Sequence, residues 1–318
     1  MASTTTVTGA APPLRDQVEY RSTWEHVAFY AFVIVPFLAV IAGITLTAIG
    51  HGMSWLTVGL ALGFYYVPVH GITVGYHRLF THRSFKAARP LKIALAVAGS
   101  LGIQGGVIRW VADHRKHHQH SDGPDDPHSP WRFGHGARNL TKGLWWAHTG
   151  WLFKREQAVK SAYAPDLLAD RDLVRIHALF PLWVVLSVAL PPVIAFAATA
   201  GSWVAAGSAL LWASLVRIFL LHHVTFAINS VCHVAGRRPF RTKDKSTNFW
   251  PLAVLSGGES WHNLHHADPT CARHGVQRGQ LDSSARLISW FEKLGWARDV
   301  RWPVSERLAD RLVTADPS

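Results

Sequence analysis

The sequence is short of cysteine, of acid and of charge altogether. Its 318 residues hold two cysteines, Cys232 and Cys271, far apart and in no CxxC arrangement. That excludes a disulfide framework and any four-cysteine metal or iron–sulfur site, so a bound metal must take other ligands. Charged residues make up 16% against 49% hydrophobic, which is lean for a soluble protein. Acids are the scarcer sign, 20 against 32 Lys and Arg, for a formal net charge of +12. Such a balance suits nucleic acid, an anionic membrane surface or an acidic partner, and the placement of the apolar residues chooses among them. In contrast, 20 histidines and 15 tryptophans are present.

The apolar residues fall into runs. Residues 27–49 are apolar for longer than the roughly 20 residues a helix needs to cross the hydrocarbon core. A second run, 54–76, follows the uncharged turn GHGM, and the pattern repeats at 178–200 and 203–228 around the short GS. This predicts an all-α integral membrane protein with four transmembrane helices arranged as two hairpins. Lys and Arg are absent from both short turns and crowd the other segments, which places the cap (77–177 and 229–303) and both termini in the cytoplasm. The positive charge is then partly explained by the anionic inner leaflet, and a nucleic-acid reading loses its motive. Residues 1–24, small and polar, are expected to form a disordered tail and not a cleaved signal, with a second tail at 304–318. Residues 91–108 are apolar but short, glycine-rich and interrupted by Gln104. They are expected to form an interfacial or re-entrant helix, because a span there would put the histidines on either side of it on opposite faces of the membrane.

The histidines cluster in four stretches: HRLFTH (77–82), HRKHH (114–118), NSVCH (229–233) and HNLHH (262–266). On a helix, positions i, i+3 and i+4 share a face, so His114, His117 and His118 are expected to converge on one point, and His262, His265 and His266 on another. Asn229 and His233 are likewise i and i+4. His77 and His82 are five apart, which on an unbroken α-helix splays them by roughly 140°. The pair makes sense if the second span ends there and its last turn changes direction. Nine imidazoles exceed what one ion accepts, whereas two ions with open positions fit the count; iron, zinc, copper and nickel all suit the ligand. Asp113, Asp126, Glu259 and Asp268 lie close enough in sequence to accept hydrogen bonds from the outer ring nitrogens. His135, His177 and His274 read as solvated side chains, His120 and His128 as outer neighbours of the second cluster. His70 and His222 read as hydrogen-bonded core histidines within reach of the site. Arg217, inside the fourth span, needs a partner or a function there.

Together, HRLFTHRSF, DHRKHH, NSVCH and HNLHH resemble the membrane fatty acyl desaturases, in particular the stearoyl-CoA Δ9 type in a bacterial form without a cytochrome b5 domain. The likeness covers about residues 25–300, including GITVGYHRLFTHRSFKA, the DPH after the second cluster, and GWLFKR at 150–155. It implies four spans under a cytosolic cap, with a short amphipathic helix before the second cluster. It also implies that His77, His82, His114, His117, His118, His233, His262, His265 and His266 bind two irons, with Asn229 contacting one through water. The activity implied is O2-dependent insertion of a cis double bond, Δ9 in the first instance, into a long-chain fatty acyl-CoA. The two electrons would come from a ferredoxin or similar acidic carrier with an NAD(P)H-dependent reductase.

One departure bears on the carrier. Where animal acyl-CoA desaturases place a head-group arginine before the aspartate of the second cluster, this chain has Ala112. Lys154 and Arg155 persist after GWLF, which favours acyl-CoA and leaves lipid-bound or acyl-carrier-protein chains open. Ala61, Tyr65, Gln104 and Trp110 are the remaining candidate substrate contacts. Tyr65 lies about 18 Å before His77 along the helix, where it could limit chain length. The rival readings are a hydroxylase or acetylenase on the same scaffold, and more remotely a metal transporter, which should carry its ligands at mid-bilayer, or a haem protein.

Overall fold

The computed structural model describes residues 18–313. The expected N-terminal tail therefore lies outside the described residues as far as residue 17. From Val18 on, the chain is tied down: Glu19–Tyr20 (β1) pairs antiparallel with Glu156–Gln157 (β3). Ser22 then caps the first helix through a reciprocal bond with Glu25. Near the other end Leu312 bridges to Phe240. The only other paired strands among the described residues are Lys86–Ala87 (β2) and Ala297–Arg298 (β4), so the architecture is helical with two small staples.

Four helices are long and apolar enough to cross a membrane: Thr23–Ala48 (α1), Trp55–Thr81 (α2), Phe180–Ala198 (α7) and Trp203–His233 (α8). Between the two pairs lie Arg89–Ser100 (α3), Val107–His120 (α4), Ala137–His148 (α5) and Arg171–Ala178 (α6). After α8 come His262–Ala267 (α9), Ser283–Lys293 (α10) and Ser305–Ala309 (α11). The consecutive spans do not all pack as neighbours. α7 lies along α8, but α1 also lies chiefly against α8, where Gly43 gives its surface to the ring of Trp212.

Two of the spans overrun their expected ends. α2 continues through Thr81 and α8 through His233, not ending at 76 and 228. At 1.5 Å per residue, 27 and 31 residues reach about 40 and 46 Å against a hydrocarbon core of about 30 Å, so both helices project beyond the bilayer. HRLFTH and NSVCH ride on these projections.

The expected interfacial segment 91–108 is two things. α3 covers residues 89–100, started by Pro90 in its first turn, and residues 107–108 already belong to α4. Twelve residues span about 18 Å, too short to cross. α3 packs along the end of α2, and glycines make the approach possible. A Cβ on Gly71 would come 2.1 Å from the backbone nitrogen of Gly99, and one on Gly99 2.5 Å from the ring of Tyr76. Gly71→Ala is therefore expected to cost about 2–3 kcal/mol by overpacking against backbone. Gly59→Ala, with nothing within 4 Å of the added methyl, is expected to leave the thermal unfolding midpoint unchanged.

Candidate metal centre

From Gly71 to Thr81, α2 is wound as a π-helix with i→i+5 bonds. Thr81 Oγ1 donates to the Tyr76 carbonyl at 2.8 Å, and the His82 amide to that of His77 at 3.1 Å. The wider turn stacks residues five apart, so the HxxxxH pair that an α-helix would splay comes to one face, ring centroids 4.8 Å apart. The helix does not end at His77, as the spacing suggested; it changes its pitch.

The nine histidines form two groups. His77, His82, His114, His118 and His265 bring ring nitrogens within 4.8 Å of one another, and so do His117, His233, His262 and His266. The two HxxHH trios therefore do not each converge on one point. In α4, His114 and His118 serve the first group and His117 the second; in α9, His262 and His266 serve the second and His265 the first. At 100° per residue, i and i+4 are 40° apart around a helix, while i+3 and i+4 are 100° apart. A helix aimed between two centres thus gives its i, i+4 pair to one and its i+3 residue to the other.

The geometry fits metal ions. Nε2 faces Nε2 between His77 and His265 (3.0 Å), His114 and His118 (3.1 Å), His118 and His265 (2.9 Å), His233 and His262 (3.1 Å), and His262 and His266 (3.0 Å). The Nε2 atoms of His82 and His117 are buried without a partner. With metal–nitrogen bonds of about 2.1 Å, adjacent corners of an octahedron lie about 3.0 Å apart and those of a tetrahedron about 3.4 Å. The separations match six-coordinate ions with vacant positions. Burial, followed by the neighbouring imidazoles, pushes His114, His118, His262 and His265 well below the usual histidine range. Neutral rings are the ligating form.

Four carboxylates fix ring orientation from behind. Glu259 Oε2 meets His77 Nδ1 at 2.5 Å, Asp126 Oδ1 meets His117 Nδ1 at 3.0 Å, Asp122 Oδ2 meets His233 Nδ1 at 3.0 Å, and Asp244 Oδ2 meets His266 Nδ1 at 2.7 Å. Each bond turns the ring so that Nε2 points inward. Of the acids expected here, Asp126 and Glu259 take this role. Asp113 instead accepts from the Ala158 amide at 3.0 Å, and Asp268 pairs with Arg307 at 2.9 Å. Asp122 and Asp244 are new. Asp122 closes the very stretch DHRKHHQHSD, whereas nothing near Asp244 in sequence announces it. Burial alone would raise the Asp244 carboxyl, but the His266 hydrogen bond and the adjacent imidazoles hold it well below the usual range. Asp244→Asn is expected to lower metal affinity and turnover about 10–100-fold, read as metal per chain by elemental analysis.

His274 was expected in solvent and is fully buried, its ring 4.6 Å from that of His265 and its Nδ1 3.5 Å from Glu259 Oε2. His177 is half-buried on a cavity wall, and His135 is exposed as expected. His128 stacks on His117 at 4.3 Å, and His120 stands apart beside Asp125. His70 is held by the Tyr66 carbonyl and Ser283, and His222 by the Gly102 carbonyl. Arg217 donates to the carbonyls of Ala213 and Ser187, which meets its need for a partner without an acid.

A cavity of about 800 Å³ lies against the histidines, with His77, His114, Asn229 and His262 in its wall. Gln104 and Trp110 also line it. Gln104 donates to Thr225 Oγ1 at 2.8 Å, and Trp110 Nε1 approaches Gln104 Oε1 at 3.4 Å, a polar bridge from α4 to α8. Ala61 and Tyr65 are not in the lining; Tyr65 stands one layer behind it, donating to the Leu255 carbonyl at 2.9 Å. Lys154 and Arg155 are outside the lining too. Lys154 faces Glu156 at 3.7 Å, and Arg155 donates to the Arg21 carbonyl at 2.8 Å.

Four helices long and apolar enough to cross a membrane and paired polyhistidine groups fit to bind metal, beside a large cavity, are the features of a membrane protein of the metal-binding oxidoreductase class. The chain belongs to the fatty acid desaturase family, whose sequence profile matches residues 53–281. It is 37% identical to a hex-5-enoyl-[acyl-carrier protein] acetylenase of Moorena producens (strain JHB), over 88% of this chain and 87% of that one. It is 35% identical to the sn-1 stearoyl-lipid 9-desaturase of Anabaena variabilis (83% and 91%) and 34% identical to an acyl-CoA C20 Δ5-desaturase of Anemone leveillei (79% and 75%). The three differ in carrier and in position, so the family is shown and the substrate is not.

Proposed function

We propose that this protein inserts a cis double bond, at Δ9 in the first instance, into a saturated long-chain acyl substrate. One O2, two electrons and two protons are consumed, and two hydrogens leave adjacent methylenes, so that two waters form. The observation that carries this is the division of nine imidazoles into groups of five and four against the wall of a cavity of about 800 Å³. When bound there, two irons would supply the power to activate O2 and break an aliphatic C–H bond.

The protein's own residues do the rest. Eight of the nine histidines lie within helices and His82 caps the end of α2, which holds the donor set rigid, and four carboxylates lock ring orientation. Asn229, one turn before His233 on α8, lines the cavity and would reach one ion through water. The apolar walls exclude water from a reactive centre. The Gln104–Thr225–Trp110 bridge sets where a chain must bend or stop, and position among chemically equal methylenes is chosen by such placement alone. The cap and its excess of Lys and Arg are assigned to the cytoplasmic side, where a ferredoxin or similar acidic carrier with its reductase would dock.

Expression in a host lacking its own desaturase, followed by double-bond mapping of total fatty acids, tests this. New cis-Δ9 chains support the reading; hydroxylated chains without any alkene would sink it. Triple-bond formation is a second reading, favoured by the acetylenase relative, and would appear as further loss of two mass units from an alkene already present.

A further inference from the structure

We propose that the cap is partly sunk in the membrane: the loop 250–257 and helix α10 lie in the leaflet on the cap side, where their outer face binds phospholipid.

Height along α2 is the ruler. Trp55 and Trp203 open α2 and α8 and are exposed by 89% and 79%, which marks the far boundary of the bilayer, where tryptophan gathers. The chain is α-helical from Trp55 to His70, so Tyr65 lies about 15 Å and His70 about 22 Å from that boundary. A hydrocarbon core of about 30 Å therefore ends beyond His70. Starting the core a turn inside Trp55 would only move its end further along the helix.

Cap residues attach short of that end. Tyr65 donates to the Leu255 carbonyl at 2.9 Å, a Cβ built on Gly257 would lie 3.3 Å from Val69 Cγ1, and His70 Nε2 meets Ser283 Oγ at 3.0 Å. The loop 250–257 and the start of α10 are thus held against the part of α2 that lies within the hydrocarbon. Their polar side chains at this depth are paired with α2, His70 with Ser283 and Thr73 with Ser284 (2.7 Å), as a site without water demands.

The free surfaces suit the depth. WPLAVL at 250–255 has no charged residue, and its exposed members are Trp250, Pro251 and Val254, the last by 55%. Leu281, just before α10, is exposed by 51%. α10 then climbs out of the core, because Ala297–Arg298 after it pair with β2, beyond the end of α2. Trp290, two turns up, is exposed, as are Arg286 and Lys293, neither of which makes an ion pair among the described residues. Apolar residues at the base, a tryptophan higher up and cations able to extend to phosphates are the marks of a helix set in the interface. In water the same apolar residues would have no cover. These two segments also carry Glu259 and Asp282, the partners of Arg78, so the lipid contact and the support of His77 share one piece of chain.

The test uses the full-length, iron-loaded protein in phospholipid vesicles. Cys232 and Cys271 are fully buried, so a nitroxide on an introduced cysteine reports one place. Labels are introduced by Val254→Cys and Leu281→Cys. Leu62→Cys, on the exposed face of α2, is the lipid reference, and Lys243→Cys, exposed beside Asp244, is the water reference. The readout is the ratio of collisions with O2 to collisions with a water-soluble nickel chelate. The labels at 254 and 281 are expected to match the Leu62→Cys ratio, about fivefold or more above that of Lys243→Cys, since hydrocarbon admits oxygen and excludes the chelate. A ratio equal to that of Lys243→Cys overturns the proposal. So does protection from both reagents, which would mean that protein, such as a second copy of this chain, covers the face. The unsubstituted protein supplies a second measurement. A phospholipid with a diazirine in its acyl chain, photolysed in the same vesicles, should attach to residues 250–255 and 281–290 as well as to the spans. Attachment confined to the spans overturns the proposal.

Discussion

Under the proposed di-iron reading, alanine at His117 is expected to abolish double-bond formation and to lower iron from two ions per chain toward one. His117 is 1% exposed, its Nδ1 is taken by Asp126 and its Nε2 has no partner other than what the second group would hold. Removing it leaves His233, His262 and His266, a three-nitrogen site without the rigid α4 donor. Activity is expected to fall by more than the about 10–100-fold that loss of an outer partner costs. His265→Ala should do the same to the other group, since His265 approaches both His77 and His118. Elemental analysis with product quantification on the same preparations checks both, and wild-type turnover in His117→Ala would remove that residue from the centre. The two variants also separate the groups: each should strip a different ion, visible as different residual spectra.

The second large effect concerns stability. Arg78→Met is expected to destabilise the fold by about 3–5 kcal/mol, the cost of leaving buried charges unpaired. Arg78 is fully buried. Its guanidinium donates to Glu259 Oε1 at 3.1 and 3.2 Å, to Asp282 Oδ1 at 3.0 Å and to the Ala272 carbonyl at 2.8 Å. It thereby pins the projecting end of α2 to the segment that carries His262–His266. Because Glu259 also orients His77, the variant should lose metal as well as thermal stability. Arg83→Met, whose partner Asp166 lies at the surface, is the control and should leave the unfolding midpoint nearly unmoved. If Arg78→Met in combination with Glu259→Gln and Asp282→Asn recovers part of the midpoint, the unpaired charges and not lost packing carry the effect.

Much of the site was legible because it is written in local spacing. The nine histidines that the fold gathers into two groups lie in four short stretches, and the i, i+4 pairs His114/His118 and His262/His266 each fall in one group. The HxxxxH pair resisted, since its convergence depends on a π-wound turn, along which Gly71 and Gly75 pack closely against α3. The outer carboxylates were half legible. Asp126 and Glu259 lie near clusters in sequence, whereas Asp244 reaches His266 across 22 residues and Asp122 reaches His233 across 111. His274, which looked solvated, is buried by elements distant in sequence.

By itself the sequence determined that this chain lies in a membrane, that any metal is held by imidazole, and which family it belongs to. Hydrophobic length, ligand type and motif spacing are local properties, and each residue carries them wherever the chain folds. Only the tertiary structure decided that α4 and α9 each divide their three histidines two to one between two groups, so that the nine fall five and four. It also decided that the first span packs on the fourth, and that a cavity lies against those groups. These depend on how helices rotate and approach one another, and rotation is set by contacts between residues that the sequence keeps far apart.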